Sequence, residues 1–195
     1  MILNLLLRLT IFYFLFEVLL FPDDPRFAQK AIPIRNFIIV VTFSLLLPFL
    51  YWLMKRWKNY PLKKWTSYPW GFDNLYLSIF WLDMAGNSLN LYDTYYFFDL
   101  IPHFASTGAM AVVFTGALRF SPLGGIALGS IIHTLLEAQE YYTDVFAQTI
   151  NVRGTSDTIN DLLAGIAGMT IFMLIYLWKQ KRYVQPRAQK RLRDR

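Results

Sequence analysis

Residues 122–146 read PLGGIALGSIIHTLLEAQEYYTDVF. The run is mostly apolar and exceeds the ~20 residues a helix needs to cross a bilayer at ~1.5 Å per residue. Its polar groups nevertheless fall inside it. His133, Glu137 and Glu140 recur at i, i+4 and i+7, which is one face of a helix. Gly125 and Gly129 continue that stripe, and small residues there let helix backbones approach closely. An ionisable side chain within a membrane span is costly, and its presence is a reason to look for a site.

Working outward, the whole chain shares this character. Of its 195 residues 55% are hydrophobic and only 16% charged, too apolar a balance for an ordinary soluble domain. The reading is an all-α, polytopic membrane helix bundle forming one domain over 1–195. Six spans are expected, at about 2–21, 36–54, 72–92, 100–118, 122–146 and 157–178. The first lacks the basic start and small-residue cleavage site of a signal peptide and is read as retained. Arg8 and Glu17, near its ends, are expected to snorkel to the headgroups. There is no cysteine, so thiolate ligands and disulfides are excluded.

The net charge of +6 has a location. Lys55, Arg56, Lys58, Lys63 and Lys64 form one basic cluster, and residues 179–195 form a basic tail. Both abut apolar segments, the pattern of cytoplasmic flanks. With an even number of spans, both termini are expected inside a cell membrane of the bacterial inner-membrane type. The partners expected are membrane lipids, with anionic headgroups at the basic flanks rather than nucleic acid.

That topology places the polar residues in one outer layer. Asp99 and His103 open span four, Glu137 and Glu140 close span five, and Asp157 and Asp161 open span six. Asp83, Asn87 and Asn90 line the outer half of span three. Asp99 and Asp157 could simply cap their helices. Asn87 and Asn90 read as interhelical hydrogen-bonding groups, and a lone His133 in mid-span reads as a packing histidine. Glu137, Glu140 and Asp161 resist such readings, because a deep unpaired carboxylate must be neutralised. Two carboxylates ~5 Å apart repel by roughly 3 kcal/mol at an effective dielectric of ~20. Several together call for protons, a cation or a buried arginine, and Arg153 is the nearest arginine in sequence. Carboxylates with imidazole are also a ligand set for Zn²⁺, Mn²⁺ or Mg²⁺. The candidate ligands of one divalent ion are Asp99, His103, Glu137, Glu140, Asp157 and Asp161, and the candidate catalytic groups are His103, Glu137, Glu140 and Asp161.

Three motifs within 99–168 carry a family resemblance. Asp99-Leu100-Ile101-Pro102-His103-Phe104 with Gly108, Glu137-Ala138-Gln139-Glu140-Tyr141, and Asp157-Thr158-Ile159-Asn160-Asp161-Leu162 with Gly165 and Gly168 occur in order. Together they resemble elements of the YjdF-like and VanZ-like bacterial membrane families. Ala164 stands where the VanZ-like pattern usually has asparagine, which favours the YjdF-like group. The resemblance implies a helical integral membrane protein and names no substrate.

The function expected from the residues is a metal-dependent hydrolase or transferase acting on a lipid or lipid-linked molecule at the outer leaflet. Glu137 and Glu140 would bind the metal, or one would serve as general base. His103 would be a ligand or proton carrier. Two other classes stay open: a proton-coupled transporter or ion pathway, and a non-catalytic assembly protein whose polar groups only join helices.

Overall fold

The computed structural model describes residues 1–27, 32–57, 68–149, 152 and 154–193, with side chains as far as Arg182. Every regular element among them is a helix. α1 spans Ile2–Leu20. α2 (Ile32–Ile38) runs through a π turn at Ile39–Phe43 into α3 (Ser44–Arg56), making one continuous rod. α4 is Trp70–Ser88, α5 a single turn at Leu91–Thr94, α6 Leu100–Gly116, α7 Pro122–Ala147 and α8 Thr155–Arg193. Helices thus occupy all six stretches in which spans were expected. Three of them are long and apolar enough to cross a membrane: α1, the α2–α3 rod, and the Thr155–Arg182 portion of α8. Large apolar side chains stand exposed on their outward faces, among them Leu5, Phe12 and Phe16 on α1 and Leu163, Ile166 and Leu174 on α8. So continuous an apolar surface suits lipid.

Local chemistry sets several of the boundaries. The Ser121 hydroxyl accepts from the Gly124 amide at 3.0 Å, and Pro122 occupies the first turn of α7, where its missing N–H costs nothing. α4 stops at Ser88 because Asn90 takes a left-handed conformation (φ 55°), which asparagine tolerates better than most residues. The expected polar stripe along 83–90 is thereby shortened: Asn90 lies in a turn, and the Asn87 amide donates to the Asp83 carbonyl of its own helix. In α3, Pro48 has no N–H to offer the carbonyl of Ser44, four residues earlier. That carbonyl accepts from Arg8 Nη1 at 2.6 Å, while the Tyr76 hydroxyl donates to the Phe43 carbonyl in the adjoining π turn.

Packing divides the helices into two groups that meet at α6. α1, the α2–α3 rod and α4 share a core of Ile11, Leu15, Ile39, Val40, Leu77 and Met84. α6 lies against α4, α7 and α8, most extensively against α8. The α6–α8 crossing is close: a Cβ at Gly168 would collide with the Phe104 backbone, and one at Gly108 would meet the Phe172 ring at 2.6 Å. Small residues also bring α7 close to both neighbours, with Gly125 against Thr115 and Ala111 of α6 and Gly129 against Met169 of α8.

Two ionic clamps stand where α1 was expected to snorkel. Arg8 reaches inward, with Nη2 2.9 Å from Asp73 Oδ2 on α4, and the Asn4 amide donates to the same oxygen at 2.8 Å. Asp73 is 0% exposed. At the opposite end Arg26 ties Glu17 (2.9 Å), both oxygens of Asp24 (2.9 Å each) and the Ser88 carbonyl (2.5 Å) together. The hydrogen-bonding Arg26 guanidinium holds the Asp24 carboxyl down at about 2. Both arginines form interhelical crosslinks because the partner carboxylates, invisible as partners in the sequence, lie on or beside a neighbouring helix.

Candidate metal centre

The candidate residues come from the starts of α6 and α8 and the second half of α7. These three helices pack on one another, so the ends carrying Asp99, Glu140 and Asp157 form one end of the bundle. Helical spacing then presents His103, one turn into α6, to the α7 stripe of His133 and Glu137. Gly165 on α8 makes the room: a Cβ there would run into the His133 ring.

His103 is the hub. Its Nδ1 lies 2.9 Å from His133 Nε2 and 3.3 Å from Glu137 Oε1, and His133 Nε2 is also 3.3 Å from that oxygen. Ligand atoms bonded tetrahedrally at about 2.0–2.1 Å stand about 3.3 Å apart, so this triangle has the dimensions of one face of a zinc site. Glu137 is 4% exposed, and its Oε1 accepts no hydrogen bond although two ring nitrogens stand beside it. Without an ion the 2.9 Å contact requires one imidazole to donate and the other to accept. A metal at the triangle would replace that shared proton.

The other nitrogen of His103 looks the opposite way. Nε2 is 3.4 Å from Asp99 Oδ1 and 3.9 Å from Asp161 Oδ1. Asp99, expected as a possible cap, makes no side-chain capping bond to its helix. A carboxylate on the outer N–H of a ligating histidine is a recurrent arrangement that fixes tautomer and ring orientation. Two groups of residues therefore offer converging ligand atoms, each within 4.8 Å of one another: His103, His133 and Glu137, and Asp99, His103 and Asp161.

Of the six ligands expected, Asp99, His103, Glu137 and Asp161 fall in these groups. Glu140 and Asp157 stand beside them. Glu140 lies in the field of Arg35, Glu137, His103 and Asp99, and Asp157 in that of Asp161. Two participants were not expected. His133, read as a packing histidine, is a vertex of the triangle; its place on the Glu137 stripe was the available signal, but its partner sits on another helix. Arg35, one residue before the expected second span, is in α2, 3.1 Å from Asp83 Oδ2, and the Tyr92 hydroxyl donates to the other Asp83 oxygen at 2.9 Å. Arg35 is thus a cation within reach of the acidic layer, whereas Arg153 lies outside the described residues. A shallow groove lined by Tyr95, Tyr96, Phe97, Phe98 and Ile101 flanks Asp99.

In comparisons with known proteins, no family model, curated protein or solved structure matches this chain.

Proposed function

We propose that this protein is a membrane-embedded, metal-dependent hydrolase or transferase acting on a lipid or lipid-linked substrate. The observation that carries the reading is the triangle of His103 Nδ1, His133 Nε2 and Glu137 Oε1, with its zinc-like edges and unbonded buried carboxylate oxygen. Three protein ligands leave a position for water or substrate, as in catalytic rather than structural zinc sites. A divalent ion held there supplies Lewis acidity and a water acidic enough to ionise near neutral pH.

The chain's own groups cover the remaining tasks. Asp99 holds the His103 ring by its outer nitrogen. Glu140, one turn beyond Glu137, accepts the proton as the water oxygen bonds to the electrophilic carbon or phosphorus, and returns it to the leaving group as the old bond breaks. Exposed Tyr95, Tyr96 and Phe97 beside Asp99 offer an apolar and aromatic approach suited to an acyl chain.

All six long helices span the membrane in this reading, with both termini cytoplasmic and the site in the outer half of a bacterial inner-membrane-type bilayer. α6 is apolar but, at 17 residues, shorter than the other spans, while α4 and α7 carry ionisable groups along their length. The basic clusters then meet anionic headgroups inside. The ordered motifs of 99–168 support assignment to the YjdF-like or VanZ-like group.

A second reading, an ion or proton pathway, draws on the His133–His103–Asp99 contacts running toward the end of the bundle. Toward the other end the α7–α8 seam is closed by Gly129 against Met169, which favours the enzyme. Metal analysis of purified protein decides between them. Wild type is expected to retain Zn²⁺ stoichiometrically and Glu137→Gln to lose it while still folded; a wild type that retains none, together with proton flux in liposomes, would favour the pathway.

A further inference from the structure

Asp161 is the group that the triangle leaves unexplained. It is 4% exposed, comes from a third helix, and its Oδ1 makes no hydrogen bond. His103 cannot serve it. The single hydrogen on Nε2 has Asp99 closer, at 3.4 Å, and Asp161 lies at 3.9 Å, beyond hydrogen-bond range. A buried carboxylate in that condition needs a proton or another positive partner.

The surroundings of Asp161 point the same way. Asp99 at the start of α6, His103 and Asp161 on α8 each offer a ligand atom, and these atoms all lie within 4.8 Å of one another. Arg35, the cation identified beside the acidic layer, is engaged by Asp83 at 3.1 Å.

We infer that the protein binds a second, harder divalent cation through Asp99 and Asp161, on the far side of the His103 ring from the first. This rests on the metal-enzyme reading of the triangle and assigns it a neighbour. The donor chemistry separates the two positions. Two nitrogens and one oxygen suit Zn²⁺, whereas carboxylates at a partly exposed helix start suit Mg²⁺ or Mn²⁺, which keep several waters and need only one or two carboxylates. Asp99 is half-buried, so water has access to that side. His103 keeps its Nε2 hydrogen for Asp99, and no imidazolate bridge is required. The waters of the outer cation are the positions through which an anionic oxygen of a substrate would be held.

The experiment is a metal count on the full chain in detergent, stripped with chelator and then equilibrated with Zn²⁺, Mn²⁺ or both before gel filtration. Wild type is expected to carry two ions when both are supplied, one Zn²⁺ and one Mn²⁺. Asp161→Asn should keep Zn²⁺ and weaken Mn²⁺ by more than the about 10- to 100-fold that loss of an outer partner costs. Asp99→Asn should shift Mn²⁺ in the same direction, and Glu137→Gln should lose Zn²⁺ alone. The wild-type count needs no variant to fold. A single ion lost in Glu137→Gln would overturn the second subsite and leave the triangle standing; no ion at all would overturn both. Loss of both ions in Asp161→Asn would make Asp161 part of one shared centre, and Mn²⁺ binding unchanged in both aspartate variants would mark it as adventitious. Either result overturns the inference.

Discussion

The Arg8–Asp73 clamp and the His103 cluster are both buried polar networks between helices, at opposite ends of the bundle, and they are composed differently. Around Asp73 a fixed cation meets the carboxylate: Asn4 and Arg8 converge on Oδ2, Oδ1 keeps no hydrogen bond, and Arg8 spends its remaining donors on Asn4 and on the Ser44 carbonyl that Pro48 released. Around His103 the carboxylates meet imidazole instead. Glu137 and Asp161 each keep a buried oxygen without a hydrogen bond, and the Arg35 guanidinium is engaged by Asp83. An arginine neutralises its carboxylate permanently, and breaking such a buried pair strands a charge. Carboxylates beside imidazoles keep ligand atoms for a metal cation. The contrast separates a joint from a site.

Mutating each network should expose that difference, and the largest effect is expected at the joint. Arg8→Ala leaves Asp73 buried and unpaired, a change that typically costs about 3–5 kcal/mol. Unfolding in detergent should show that loss equally with and without chelator. Glu137→Gln removes one of several repelling charges, so the chelated variant should lie within about 1 kcal/mol of chelated wild type. A Glu137→Gln protein as unstable as Arg8→Ala, with wild type indifferent to chelator, would erase the distinction and make the His103 cluster structural.

A smaller effect tests whether the His103 end is held by packing. Gly165→Ala puts a methyl group into the His133 ring, and overpacking of this kind costs about 1–3 kcal/mol. Zn²⁺ affinity should fall with stability, since the ring that must move is a vertex of the triangle. Gly71→Ala, where a Cβ meets nothing within 4 Å, is the matched control and should be neutral or slightly stabilising. Equal Zn²⁺ affinity in both variants would show that His133 is no ligand.

The smallest effect is expected at the half-buried Arg26 clamp. The Asp24 carboxyl titrates at about 2 in the folded chain against an ordinary 3.8, lowered by its hydrogen bonds to Arg26. A lowered folded-state value means that its contribution is complete above pH 3.8 and fades as pH falls through 2. Melting curves across that range should slope less for Asp24→Asn than for wild type. Identical slopes would mean that the Arg26–Asp24 contact does not persist in solution.

How much of this was legible in the sequence differs from residue to residue. Glu137 and Asp161 could be singled out because burying a carboxylate is costly wherever it happens, and no knowledge of neighbours is needed to see it. The spacing of His133 and Glu137 could be read because a helix repeats in a fixed way. Asn90 could not be placed correctly, since the same asparagine can join a polar stripe or end a helix, and only the backbone at residues 88–91 decides. Arg8 was misplaced and Arg35 passed over for a related reason. A long cationic side chain near a helix end can reach water or a carboxylate on another helix, and the sequence contains no distance between them.

By itself the sequence determined the helices, their apolar faces and the concentration of ionisable groups in the second half of the chain, because these follow from hydrophobicity and local periodicity. Tertiary structure alone decided which groups meet. It set the His133 ring against Gly165, turned one nitrogen of His103 toward Glu137 and the other toward Asp99, and closed Arg8 on Asp73. Those contacts join residues up to 65 positions apart, as with Arg8 and Asp73. Their partners are selected by how the helices cross, which close packing of many side chains determines together and no local pattern records.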